Sequence, residues 1–214
     1  MLKEEWWIYA IGFSAQILFS ARLLVQWIAS ERAKKVLSPT LFWQLSLLGS
    51  FLLFLYGWLK NDFAIAAGQF VAYVIYIWNL KQKNAWNKFP PVVRFLLYLI
   101  PLVTILYFCL DVETAVGNLF RNKDIPLGLL IFGTAGQITF TLRFIYQWWY
   151  SKHKGESLLP RPFWVISLIG SAMIITYAVF RLDPVLLIGQ TPGAIVYLRN
   201  IMIASKEKKR EMEI

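Results

Sequence analysis

The sequence holds one cysteine, Cys109, and one histidine, His153. A lone thiol makes no intramolecular disulfide, and neither CxxC nor Cys/His metal-ligand spacing occurs. His153 sits in a basic stretch and is read as solvated. Acidic residues are scarce as well, 12 Asp and Glu against 22 Lys and Arg, and every one falls outside the long apolar runs. There is no paired carboxylate within an apolar run, no Ser/His/Asp set and no glycine-rich phosphate loop. These absences argue against hydrolytic or group-transfer chemistry, so the chain is read as not an enzyme, without catalytic residues, metal or cofactor. Charge is thin overall: 16% of residues, against about 25% in soluble domains.

What replaces charge is apolar length. Residues 41–59, 63–80, 95–110 and 162–180 carry no Asp, Glu, Lys or Arg, and about 20 apolar residues span a bilayer core. The pattern predicts an all-α integral membrane protein with helices over 6–29, 41–60, 63–80, 92–110, 125–150, 162–181 and 184–204. The first apolar run starts near Trp6 without a short apolar region and small-residue cleavage site, so the first helix is expected to be retained. Between the runs, 14 Lys and Arg fall on one side and 5 on the other. The richer side is expected to be cytoplasmic, with the N-terminus facing out and the C-terminus facing in. The net charge of +10 therefore reads as a topology signal, with anionic membrane lipids as secondary partners and no nucleic acid.

Sliding the chain by 121 residues aligns 12–79 with 133–200 without a gap, and 22 of the 68 positions are identical. The matches include Arg22/Arg143, Gln26/Gln147, Trp27/Trp148, Pro39/Pro160, Trp43/Trp164, Tyr56/Tyr177 and Gln69/Gln190. Apolar bias alone does not match Arg, Gln, Trp and Pro in register. The expected organisation is a first three-helix repeat at 1–81, a loop and linker helix at 82–124, a second repeat at 125–204 and a basic cytoplasmic tail at 205–214. An odd helix count per copy needs the linker helix to keep the copies parallel, a symmetry found among transporters.

Arg22 falls about eight residues from the basic end of the first helix, roughly 12 Å deep at 1.5 Å per residue. An arginine there costs about 2.5–3.5 kcal/mol to insert. It either snorkels, pairs internally or faces the bundle and binds an anion. Recurrence at Arg143, with Gln26 and Gln147 one turn later on the same face, favours the anion. A guanidinium fork beside amide donors suits phosphate or carboxylate. Gln69 and Gln190 lie mid-helix, as interhelical glue or substrate contacts. Gln16, Gln137, Trp43 and Trp164 complete the repeated candidate substrate-binding set. Pro192 and Gly193, in "GQTPGA", mark a hinge or cavity border found in the second copy alone. Asp62 and Asp183 read as helix caps, Asp183 with Pro184 at the first helical position.

The pattern R-x-x-x-Q-W, then S-P-x-x-F-W-x-x-S-L-x-G or its close variant, then Y, D and G-Q strongly resembles the lipid A biosynthesis N-terminal domain family. It runs through Arg22, Gln26, Trp27, Pro39, Phe42, Trp43, Ser46, Gly49, Tyr56, Asp62, Gly68 and Gln69, and again in the second copy. The three-helix unit also resembles the PQ-loop superfamily, including SWEET transporters, in a 3+1+3 plan. The Pro-Gln pair of that superfamily is absent, since Gln16 follows Ala15 and Gln137 follows Gly136. Together these resemblances imply a transporter or flippase moving a polyprenyl-phosphate-linked sugar for lipid A or envelope glycan modification. Two alternatives stand beside it: a non-transporting membrane subunit that positions a glycosyltransferase or lipid A enzyme, and a SWEET-like free-sugar uniporter. The implied partners are a lipid-linked sugar phosphate and a glycosyltransferase.

Overall fold

The computed structural model describes residues 6–59, 63–110, 126–182 and 184–212. Among these the chain is all-helical: α1 (Trp6–Ala33), α2 (Thr40–Leu59), α3 (Phe63–Gln82), a 3-10 turn (Trp86–Lys88), α4 (Pro91–Leu110), α5 (Leu127–Lys154), α6 (Arg161–Arg181) and α7 (Pro184–Met212). Apolar runs set the helices, and proline and left-handed residues punctuate them. Pro39 and Pro160 precede α2 and α6, and their carbonyls accept the amide hydrogens of Phe42 and Phe163 at 3.1 and 2.9 Å. Gly155 ends α5 at φ 71°, the left-handed conformation that costs glycine nothing. The matching position after α1 is Lys34, at φ 53°. A non-glycine residue there costs roughly 1–2 kcal/mol.

The helices match the seven expected, but α1, α5 and α6 are the three described as long and apolar enough to cross a membrane. The expectation of seven spans is therefore supported for those three. Polar Gln190, Arg199 and Asn200 interrupt α7 and dilute its apolar length. The stretch expected as a tail from residue 205 continues as helix to Met212. Asp62 and Asp183, expected as caps, lie outside the described residues.

The chain forms two compact units. One comprises Met1–Phe19 and Trp43–Asp124, the other Ser20–Phe42 and Ile125–Ile214. In the first unit, Ser50 donates to Gln69 Oε1 at 2.7 Å, linking α2 to α3. Tyr73 donates to the Leu97 carbonyl at 2.5 Å, linking α3 to α4. Phe54 stacks edge-on against Tyr73 with centroids 5.3 Å apart. In the second unit, α6 packs on both α5 and α7. Two glycines make that packing possible: a Cβ on Gly133 would stand 2.5 Å from the Tyr177 ring, and one on Gly170 would stand 2.8 Å from the Phe140 backbone nitrogen.

Candidate functional site: a buried arginine pair

The second unit gathers the second half of α1 with α5, α6 and α7, and this brings Arg22 and Arg143 together. Arg22 is 7% exposed and Arg143 4%. The Phe144 ring serves both, with its centroid 5.8 Å from the Arg22 guanidinium carbon and 4.6 Å from that of Arg143. Arg143 also lies 3.4 Å over Phe140, one turn earlier on α5. Phe163 and Tyr197 complete an aromatic cage at 5.8 and 5.7 Å. Its Nη1 donates to the Tyr197 hydroxyl at 3.1 Å. Arg22 has Phe42 at 5.7 Å on its other side. A desolvated cation over a ring gains about 2 kcal/mol, which offsets part of the insertion cost.

The aromatic cage is itself ordered. Trp164, fully buried, lies 6.0 Å from Tyr197 and 4.8 Å edge-on to Phe163. Its indole nitrogen has no hydrogen-bond acceptor among the described residues. Gly193 keeps this contact open: a Cβ would come within 2.9 Å of the Tyr197 hydroxyl oxygen, the atom that accepts the Arg143 hydrogen bond. Pro192 is exposed and α7 runs through it. Trp43, equally buried, packs against Tyr76 at 6.0 Å in the first unit.

The glutamines paired with the arginines in sequence hold the backbone instead. Gln26 Nε2 donates to Ser30 Oγ at 2.8 Å and to the Leu37 carbonyl at 3.2 Å. It also exchanges bonds with Asn200, 2.8 Å outward and 3.0 Å in return. Gln147 repeats the arrangement with Ser151 and the Leu158 carbonyl, both at 2.9 Å. The Leu37 and Leu158 amides then donate to Ser30 and Ser151 at 2.9 and 3.0 Å. Each Gln–Ser pair thus pins the loop that follows its helix. Gln190 accepts from Ser171 at 3.2 Å, repeating Ser50–Gln69. Gln16 and Gln137 are exposed. The four serines were not singled out by sequence, although each is identical in the two copies and Ser30 and Ser151 follow their glutamines by one turn.

Among the described residues no group of His, Cys, Asp and Glu is placed to hold a metal. Glu31 is bound by Arg199, whose Nε donates at 2.8 Å, and Glu207 accepts from the Val36 amide at 3.2 Å. Chemically, the arrangement puts two fixed positive charges in an aromatic, low-dielectric setting. A guanidinium fork of this kind is the donor type that suits phosphate or carboxylate.

The family model for the Lipid A Biosynthesis N-terminal domain matches residues 11–81 and 132–202, again 121 residues apart. The lipid-A-disaccharide synthase of Chlamydia felis is 31% identical over 94% of the chain. Its counterpart in Chlamydia caviae is 29% identical over 94%, and that of Chlamydia trachomatis serovar D 28% identical over 98%. The chain spans about a third of the length of these curated relatives, 34%, 34% and 36%. No solved structure matches the chain, and the family match does not extend to PQ-loop or SWEET bundles.

These comparisons correct two expectations. The transporter or flippase reading, with its free-sugar variant, gives way because the relatives matched over nearly the whole chain bear the name of a synthase. Gln26, Gln147, Gln69 and Gln190, read from the sequence as candidate substrate contacts, are engaged in hydrogen bonds that hold helices and loops. The reading of the chain as not an enzyme falls on the same finding, since the match is to about a third of one. Two stretches covering both sequence copies fit one description, and the chain belongs to the Lipid A Biosynthesis N-terminal domain family.

Proposed function

We propose that the chain is a membrane module of a lipid A glycosyltransferase system, which holds the anionic head of a lipid-linked sugar phosphate close to the enzyme that consumes it. It positions the lipid and does not move it across the bilayer. The observation that carries this reading is the pair of buried guanidiniums on the Phe144 ring, in a chain matched almost end to end by part of a disaccharide synthase. Arg143 presents a planar, permanently charged fork, the donor geometry that suits a phosphate. Burial of both side chains argues against snorkelling, in which the charged head must reach the interface. The basic ends of α1, α5 and α7 are taken as cytoplasmic in the inner membrane, so that a glycosyltransferase working on that side meets the lipid head there. The copies at 1–81 and 125–204 then supply one arginine each.

The test is disaccharide formation by a lipid-A-disaccharide synthase in proteoliposomes containing its acylated sugar phosphate substrate, with and without this chain. The reading expects the chain to raise the initial rate, and Arg22→Gln with Arg143→Gln to abolish the gain. Equal rates with and without the intact chain would overturn it.

A further inference from the structure

A basic pocket lies at the end of the same unit, away from the arginine pair. Where α1 stops and α7 runs on, a pocket of about 600 Å³ is lined by Glu31, Lys34, Arg199, Lys206, Lys209 and Arg210, with Ile203 as an apolar floor. Its size falls within the usual range of ligand sites, about 300–1,000 Å³. Five of the lining residues are cationic and one is acidic, and that carboxylate is already held by Arg199.

The pocket is built, not a fringe of loose lysines. Arg199 clamps Glu31 through both Nε and Nη2 and so joins α7 to α1. Arg210 donates to the Lys34 carbonyl, and Glu207 accepts from the Val36 amide at 3.2 Å. These contacts hold the loop after α1 against the last two turns of α7. That is why α7 continues as helix through a run of charges. Lys34 itself sits at φ 53°. The second copy has Gly155 at the matching position, φ 71°, so lysine stands where glycine is the unstrained choice. The Glu31–Arg199 clamp also breaks the repeat, because the corresponding residues of the other copy are Lys152 and Trp78.

We propose that this pocket binds a phosphate group carried by an amphiphile or a small phosphorylated compound, with Lys34, Lys206 and Lys209 as its charge and Arg199 as its oriented wall. Basic pockets between helices at a membrane surface take phosphorylated lipid heads. The proposal needs α1 and α7 to end at a membrane surface and stands without the synthase reading above.

The experiment is equilibrium binding of fluorescent phosphatidic acid, against phosphatidylcholine, to the detergent-purified chain. Inorganic phosphate and pyrophosphate serve as soluble competitors. Phosphatidic acid is expected to bind in preference. Lys206→Gln and Lys209→Gln are each expected to weaken it roughly fivefold, with an unchanged melting temperature because both side chains are exposed. Lys34→Gly is the sharper variant: it is expected to raise the melting temperature while weakening binding, which a purely structural lysine does not do. Competition by the soluble anions assigns the site to free phosphate compounds, and its absence assigns it to a lipid head; either supports a phosphate site. Lys152→Gln and Lys154→Gln, at the end of α5, are the controls. Equal loss with these, or wild-type binding by the pocket variants, overturns the proposal. Arg22 and Arg143 are untouched throughout, so failure here leaves the disaccharide test standing, and the reverse holds.

Discussion

Gln26 and Asn200 lie 174 residues apart and face each other as a reciprocal amide pair, with bonds of 2.8 and 3.0 Å and no exposed surface on either side chain. Asn200 is held from behind by its own helix, donating to the Val196 carbonyl at 2.9 Å. The pair fastens the second half of α1 to α7 and thereby fixes the turn on which Arg22 sits. Replacing one partner leaves the other buried and unsatisfied, at about 1–3 kcal/mol. Gln26→Leu and Asn200→Leu are each expected to lower the melting temperature. The double variant is expected to lose less than the sum, because neither amide is then stranded. Thermal unfolding in detergent measures all three, and strict additivity would mean that the pair is not coupled.

Serine and glutamine act together one turn apart. Ser151→Ala removes the acceptor of the Leu158 amide and one acceptor of Gln147. The expected cost is about 1–2 kcal/mol, felt first in the loop between α5 and α6. Limited proteolysis should cut that loop faster in the variant, with the rest of the chain keeping its resistance.

Glycines separate close packing from helix propensity. Gly170→Ala puts a Cβ 2.8 and 2.9 Å from the backbone nitrogen and Cα of Phe140, which do not yield, and overpacking of this kind costs about 1–3 kcal/mol. Gly128→Ala meets nothing within 4 Å and is expected to stabilise its helix by up to about 1 kcal/mol. Melting temperatures of opposite sign are the expected result.

Arginine at 143 is expected to be irreplaceable by lysine. The guanidinium carbon sits 3.4 Å from the Phe140 centroid while Nη1 reaches Tyr197. A lysine keeps the charge but loses the fork and the stacked plane. Arg143→Lys should therefore fail to restore the stimulation of disaccharide synthesis that Arg143→Gln removes. Full rescue by lysine would reduce the role to a point charge.

Much of this was legible in sequence because apolar length and proline or glycine punctuation set the helices locally. Six of the seven helices begin within one residue of expectation and α5 begins two later, at Leu127 instead of 125. The 3-10 turn at Trp86–Lys88 was not legible, since a short polar stretch carries no period. Nor was the far end of α7, because its charges favour helix only once Glu207 and Arg210 find the loop after α1. Of the site, the arginines were visible as buried charges repeated at a fixed offset. Their aromatic cage was not, because Phe140, Phe163 and Tyr197 read as ordinary apolar residues until three helices bring them around Arg143. The Glu31–Arg199 clamp spans 168 residues and has no repeat, so no pattern announced it.

Direct binding of the lipid head by the arginine pair is the most telling measurement. A photo-reactive acylated sugar phosphate, incorporated in nanodiscs with the purified chain, should label α1, α5 or α7 near Arg22 and Arg143. The account predicts that Arg22→Gln or Arg143→Gln each removes most of that labelling while the chain keeps its fold by circular dichroism. Undiminished labelling in the folded double variant would contradict it.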